Sequence, residues 1–357
     1  MIASIGTAAS FADRLLNWQQ HCGRHDLPWQ RDRSDAYRVW LSEVMLQQTQ
    51  VATVLGYYER FLQRWPDVKA LAAAELDDVL AAWSGLGYYS RARNLHRCAA
   101  VVASELDGQF PREAAALEKL PGIGASTAAA IASICFGQRA AILDGNVKRV
   151  LMRHRAIDAD PTNSATLRQL KALAESLLPP AGQAMAVYTQ GIMDLGATLC
   201  TPRQPQCERC PVAGDCAGFA SGEPTRFPPR RVRPAKARAQ REHWWLWQQQ
   251  GDRIWLEQRP SQGVWAGLWT LPLLDSEAAC RNRVGGHEAE SLPSIRHVLT
   301  HFDWLLHPVR VRRPQRPGEL IAAESGAAES GRWFTLAEAW ELALPAPLRK
   351  LLFVSVD

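Results

Sequence analysis

Leu120-Pro121-Gly122-Ile123-Gly124 runs directly into Ala125-Ser126-Thr127-Ala128-Ala129-Ala130-Ile131, the pattern of a tight turn that opens onto a helix. Its glycines free backbone N–H groups to meet a phosphate at the helix start. Contacts of that kind position a nucleic acid without reading its sequence. Pro-Gly-x-Gly also serves as an ordinary turn between helices, so the turn alone leaves both readings open. Two acids flank it at a distance: Glu43 in Trp40-Leu41-Ser42-Glu43-Val44-Met45-Leu46-Gln47-Gln48-Thr49-Gln50, and Asp144 in Ile142-Leu143-Asp144-Gly145-Asn146-Val147-Lys148-Arg149-Val150. Two carboxylates can divide acid and electrostatic work on a sugar bond. Asp144 also precedes a helix-forming run from Val147 to Arg153, where its plain role is a cap. Capping and catalysis are compatible in one residue.

Working outward, apolar residues recur at helical spacing from Ala8 to about Ala197, with breaks at Leu27-Pro28, Trp65-Pro66, Ser84-Gly85 and Phe110-Pro111. This half is expected to be all-helical. The segment from Ser34 to Gln50 starts with cap candidates and contains no Gly or Pro, which predicts a helix with Glu43 in its middle. Val39, Leu46 and Gln47, one turn away, give Glu43 a mostly apolar surrounding in which a carboxyl tends to keep its proton.

From His243 onward short strand-like runs appear, such as Trp244-Trp245-Leu246-Trp247 and Arg253-Ile254-Trp255-Leu256-Glu257. They predict a second, mixed α/β domain. Between the halves, residues 226–242 hold a basic, proline-containing stretch with no acid before Glu242, read as an interdomain linker whose cations lie along a phosphate backbone or simply solvate a tether. The expected division is 1–225, 226–242 and 243–357. A chain of 357 residues exceeds one typical core. Its net charge of +5 permits nucleic-acid binding without demanding it. No apolar run reaches the roughly 18 residues of a membrane span, and the start lacks a signal-peptide pattern. The expectation is a cytoplasmic protein, in a bacterium associated with the nucleoid, and a monomer.

Of eight cysteines, Cys200, Cys207, Cys210 and Cys216 crowd one short segment. In a reducing compartment the spacing Cys-x6-Cys-x2-Cys-x5-Cys points to a metal site rather than disulfides. Thiolate chemistry alone leaves zinc and an iron–sulfur cluster both open.

Taken together, the turn, Glu43, Asp144 and the cysteine spacing resemble the helix-hairpin-helix glycosylases of the endonuclease III superfamily. The resemblance implies a catalytic Asp144 after the hairpin, backbone contacts to DNA from Gly122, Gly124 and Lys148, and a structural [4Fe–4S] cluster on the four cysteines with Arg203 and Arg209 facing DNA. Endonuclease III proteins carry a Lys where this chain has Ser126. Without that amine no Schiff base forms, so water should complete the reaction and leave an abasic site. Ser126 is expected to hydrogen-bond Asp144.

Within the superfamily, Trp40–Val51, Gly85-Leu86-Gly87-Tyr88-Tyr89-Ser90-Arg91-Ala92-Arg93-Asn94-Leu95 and Ile142–Val150 look like the adenine DNA glycosylase family. That likeness spans the first 220 residues. It implies that Glu43 is the general acid, that Gln48 and Tyr88 wedge into the base stack, and that Trp29, Gln30, Leu46, Thr49, Val51, Leu86, Ser126 and Gln190 belong to the substrate site. Taken alone, Gln48 reads as a surface residue and Tyr88 as a packed one. The C-terminal half is similar to a nucleotide-hydrolase-like domain used to recognise 8-oxoguanine, through Gln258-Arg259-Pro260 and Gly263-Val264-Trp265-Ala266-Gly267-Leu268-Trp269. The acidic helix that holds magnesium in true hydrolases is missing between Leu274 and Ile295, so this domain should be catalytically silent. A Phe-Ser-His loop of the family falls on Leu299-Thr300-His301, keeping the hydroxyl at Thr300 and the ring at His301 but not the Phe. The partner implied is duplex DNA with adenine opposite 8-oxoguanine or guanine. The competing readings are a bifunctional glycosylase and lyase, a non-catalytic DNA-binding protein, and a nucleotide hydrolase.

Overall fold

A computed structural model describes residues 9–181, 184–229, 238–312 and 331–354. Its helices are α1 (Phe11–Cys22), α2 (Ala36–Leu46), α3 (Val51–Arg64), α4 (Val68–Ala72), α5 (Leu76–Ala82), α6 (Ser90–Glu105), α7 (Ala114–Leu117), α8 (Ala125–Phe136), α9 (Gly145–His154), α10 (Ser164–Ser176), α11 (Met185–Asp194), α12 (Ala217–Ala220), α13 (Glu277–Val284), α14 (Leu336–Glu341) and α15 (Ala346–Val354). The strands, all after residue 238, are β1 (Ala239–Gln250), β2 (Arg253–Gln258), β3 (Trp269–Thr270), β4 (Leu273–Leu274), β5 (Ala289–Ser291), β6 (Ile295–Val298), β7 (Phe302–Arg312) and β8 (Gly331–Thr335). The helical first half and mixed second half agree with the reading of the sequence. Among the described residues no helix is long and apolar enough to cross a membrane.

Packing divides the chain into two compact units, 1–72 with 97–233, and 73–96 with 234–357. In the first unit, α1 starts with a reciprocal cap between Ser10 and Asp13 and buries Phe11, Leu15 and Gln19, one per turn. These meet Ala129 and Ala130 of α8, Val147, Val150 and Leu151 of α9, and Ile192 of α11 in one core. The alanines let neighbouring helices approach α8 closely, and α8 ends where Gly137 takes φ 67°.

One expectation fails here. The helix carrying Glu43 is capped by Asp35 as expected, but it ends at Leu46 rather than near Gln50. Gln48 adopts φ 57°, in the left-handed region, which cannot continue a right-handed helix. Glu43 therefore sits in the last turn of α2, not its middle, and α3 begins afresh at Val51.

In the second unit an eight-stranded mixed sheet has the path β3-β2-β1-β7-β5, with β4 on β1, β6 on β7 and β8 on β2. Its spine is the parallel pair β1 and β7, in register from Ala239 with Phe302 to Gln249 with Arg312. Trp245 and Trp247 face a core with α14 and α15, whereas Leu246 packs on the opposite face against Cys280 and Val284 of α13. Covering both faces explains why β1 reads as an unbroken apolar run. β1 begins at Ala239, earlier than the expected start at His243, because residues 239–242 already pair with β7. Within the expected linker, residues 230–237 lie outside the described residues.

Leu151 is fully buried, so Leu151→Ala should cost about 2–5 kcal/mol. Truncating exposed Val298 should change stability by less than about 0.5 kcal/mol. Urea unfolding of the two variants measures both.

Candidate active site and cysteine cradle

Glu43 hangs from the last turn of α2, with Val39 buried one turn earlier and Gln47 reaching Thr127 Oγ1 of α8 through its Nε2 at 3.5 Å. It keeps some contact with solvent, yet enough protein surrounds it that burial, and then the nearby Asp144 charge, push its pKa up to about 7. The structure thus brings Glu43 and Asp144, distant in sequence, within electrostatic reach.

Asp144 is the N-cap of α9, its Oδ1 accepting from Val147 N at 2.7 Å. The segment leading into it is tied to α8, because Ser126 Oγ accepts from Leu143 N at 3.2 Å. This corrects the expected bond from Ser126 to Asp144: the hydroxyl grips the backbone one residue earlier. Gly122 has φ 76°, which the turn requires, and Gly124 caps α8 with open space where a Cβ would stand. Lys148 is half-buried in the first turns of α9.

Around Glu43 in the sequence, Leu46, Thr49 and Val51 are half-buried and Gln48 is exposed. Trp29 is buried in a short 3-10 turn, edge-on to Tyr58 with ring centroids 5.4 Å apart. Both amide atoms of Gln30 are buried and lack a protein hydrogen-bond partner. A buried amide without partners costs free energy until a ligand meets it, so Gln30 is suited to reading a polar ring edge. Gln190 is buried on α11, and its Nε2 donates to Asp194 Oδ1 at 2.9 Å. Asp194 is fully buried and also accepts from Gln19 Nε2 and from the Arg24 backbone and guanidinium. This network went unseen in the sequence, where Asp194 appears only as part of a helix end. Little in the local sequence marks it, since apart from Gln190 its partners, Gln19 and Arg24, lie 175 and 170 residues away.

Leu86, Tyr88, Thr300 and His301 belong to the second unit. Leu86 is buried, while Tyr88 is 51% exposed at φ 49° in a loop whose Gly85 and Gly87 also have positive φ. Thr300 and His301 are exposed in the turn between β6 and β7. In α13, Glu277 is paired with Arg281.

Cys200, Cys207, Cys210 and Cys216 together line one small cavity. Close packing of this loop against α9 requires glycine at two points. A Cβ at Gly196 would stand 2.8 Å from Asn146 Cβ, and one at Gly218 would stand 2.5 Å from Arg153 O. From α9, Arg153 donates to Cys200 Sγ at 3.4 Å and to Thr201 O and Pro202 O, and Arg149 donates to Cys200 O and Gly196 O. Burial pushes the Cys210 thiol up to about 12, with Cys200, Cys216 and Cys207 adding to the effect. Among the described residues no three His, Cys, Asp or Glu side chains are arranged to hold a single metal ion. Four cysteines lining one cavity beside the buried Arg153 guanidinium suit thiolate ligation, because the cation offsets part of the thiolate charge. Arg203 and Arg209 are exposed on this loop.

Comparison with known proteins adds three family matches. Residues 41–176 match the HhH-GPD superfamily of base excision DNA repair proteins, residues 200–216 the iron–sulfur binding domain of endonuclease III, and residues 243–353 the NUDIX domain. An adenine DNA glycosylase of Buchnera aphidicola subsp. Schizaphis graminum is 32% identical over 96% of this chain and 97% of its own. The adenine DNA glycosylase of Homo sapiens is 39% identical over 76% of this chain and 59% of its own. Among solved structures, a thermostable thymine-DNA glycosylase aligns with TM-score 0.53 at 29% identity, covering 59% of this chain and 95% of that one.

A carboxyl whose folded pKa is raised favours the folded state at low pH and loses that advantage as pH rises through the folded value. Charging Glu43 in place is the penalty, so Glu43→Gln should stabilise the protein at pH 8 by up to roughly 3 kcal/mol. That gain should vanish toward pH 4, as read by denaturation at both pH values. Gly218→Ala should push the cysteine loop off Arg153 and lower the iron bound per chain, as measured by metal analysis.

Proposed function

Because this chain belongs to the adenine DNA glycosylases, we propose that it removes adenine mispaired with 8-oxoguanine or guanine in duplex DNA, using Glu43 as general acid and Asp144 as electrostatic partner. The carrying observation is a half-buried Glu43 whose pKa is pushed up to about 7 by burial and by the nearby Asp144. The enzyme is a base-excision repair glycosylase, and its [4Fe–4S] cluster is held by Cys200, Cys207, Cys210 and Cys216. When bound, that cluster cross-links the loop that Arg149 and Arg153 fasten to α9.

Adenine must leave the base stack before its glycosidic bond is accessible. Gln48 and Tyr88 each act as a wedge in the opened stack, while Gly122, Gly124 and Lys148 hold the phosphate backbone. Trp29, Leu46, Thr49 and Val51 enclose the extruded base, and the unpartnered Gln30 amide and Gln190 read its polar edge. Protonated Glu43 donates to the imidazole-ring nitrogen of adenine, which then departs as a neutral base. Asp144, fixed in orientation by Val147 N, stabilises the oxocarbenium-like sugar. Deprotonated Glu43 activates the water that completes hydrolysis. Ser126 supplies no amine, so the strand is left intact at an abasic site.

We further propose a division of labour in which 1–225 carries the chemistry, 226–242 tracks the backbone, and 243–357 recognises the base opposite adenine through Thr300 and His301. A monomer suffices for this scheme. The sequence likeness of the whole chain to adenine DNA glycosylases favours it over a bifunctional lyase.

Single-turnover assays on an end-labelled duplex with adenine opposite 8-oxoguanine test the scheme. Breaks should appear only after hot alkali, and Glu43→Gln should slow excision by about 100- to 10,000-fold. Since the acid must be protonated, the wild-type rate should fall as pH rises through about 7. Breaks without alkali, or a flat profile between pH 6 and 8, would contradict it.

A further inference from the structure

The segment that presents Tyr88 is tied to the C-terminal sheet on both sides, and on the N-terminal side one carboxylate makes the tie. Asp77, in the first turn of α5, accepts from Gln258 Nε2 at 2.9 Å through Oδ1 and from Trp269 Nε1 at 3.2 Å through Oδ2. Gln258 closes β2 and Trp269 opens β3, and the two are paired across those strands. Asp77 therefore bridges both ends of the connection 259–268. On the far side of Tyr88, Arg93 Nη1 donates to Ala266 O, inside that same connection, at 2.8 Å. Tyr89 OH reaches Leu344 O at 3.3 Å.

Between these anchors the loop is internally braced. Trp83 Nε1 donates to Gly87 O at 3.1 Å, and Arg91 Nη2 donates to Leu86 O and Gly87 O. The Arg91 guanidinium also lies 5.2 Å from the Trp83 ring and 5.8 Å from the Tyr88 ring. The exposed Tyr88 ring is thus presented by a stiff loop that packs as part of the second unit, the one that carries Thr300 and His301.

We propose that Asp77 is a positioning residue for lesion discrimination: by fastening the Tyr88 loop to the 258–269 connection, it makes insertion of Tyr88 and recognition of the base opposite adenine one coupled event. The inference rests on the roles of Tyr88 and the C-terminal domain proposed above. Contacts to 8-oxoguanine can speed adenine removal only if their free energy is transmitted to the step that opens the stack. A charged acceptor tied to two donors on the sheet is a suitable link, because such hydrogen bonds are shorter and stronger than neutral ones.

The test compares single-turnover excision by the full-length protein on duplexes with adenine opposite 8-oxoguanine and opposite guanine. Asp77→Ala should slow the 8-oxoguanine duplex by about fivefold or more and leave the guanine duplex within about twofold, so the ratio between them collapses. Gln258→Ala should shift the ratio in the same direction, and the double variant should do no more than Asp77→Ala alone. Asp77→Asn, which keeps one acceptor oxygen and the side-chain shape, should fall between wild type and Asp77→Ala. Equal slowing of both duplexes, an unchanged ratio, or additive effects in the double variant would overturn the role of Asp77. Equal wild-type rates on the two duplexes would instead remove the lesion preference beneath it, an outcome visible before any variant is assayed.

Discussion

A carboxyl group that keeps its proton near neutral pH has to be withdrawn from water and set close to another acid, and those two demands fix much of this fold. Glu43 meets the first from the last turn of α2, against Val39 and within reach of α8. It meets the second through Asp144, which must arrive from another helix at electrostatic distance. α2 ends at Leu46, one turn after Glu43, and the left-handed Gln48 keeps the helix from continuing.

Asp144 is held by two local devices with separate functions. Its cap bond to Val147 N orients the carboxylate at the start of α9, and the Ser126 bond to Leu143 N fixes the chain that delivers it. Two turns further on, Arg149 and Arg153 fasten the cysteine loop to the same helix. One helix therefore joins the Asp144 cap to the cysteine loop. Gly196 and Gly218 permit this arrangement because any larger residue would meet Asn146 or the Arg153 backbone.

Much of this was legible in the sequence where a local signal carries a local consequence. The turn at 120–124, the Asp144 cap, the cysteine spacing and the strand-like tryptophan runs each follow from residue chemistry within a few positions. The end of α2 was missed because no Gly or Pro marks it; Gln48 is an ordinary residue made left-handed by its surroundings. Ser126 was assigned the wrong partner by one residue, since spacing cannot separate a side-chain acceptor from the backbone next to it. Asp194 with Gln19, Arg24 and Gln190, and Asp77 with Gln258 and Trp269, could not be read at all. Each joins polar residues far apart in the chain, and pairing of that kind exists only once the fold has formed.

The protonation state of Glu43 is the point on which the chemistry turns, and it can be observed directly. Infrared difference spectra of the free protein between pH 5 and 9, with Glu43→Gln as the subtraction partner, would isolate its carboxyl band. The structure predicts one protonated carboxyl that titrates near pH 7 and moves to lower pH when Asp144 is replaced by Asn. A Glu43 band that titrates near the ordinary carboxylate value of about 4.3, unaffected by Asp144, would contradict the assignment of Glu43 as the acid.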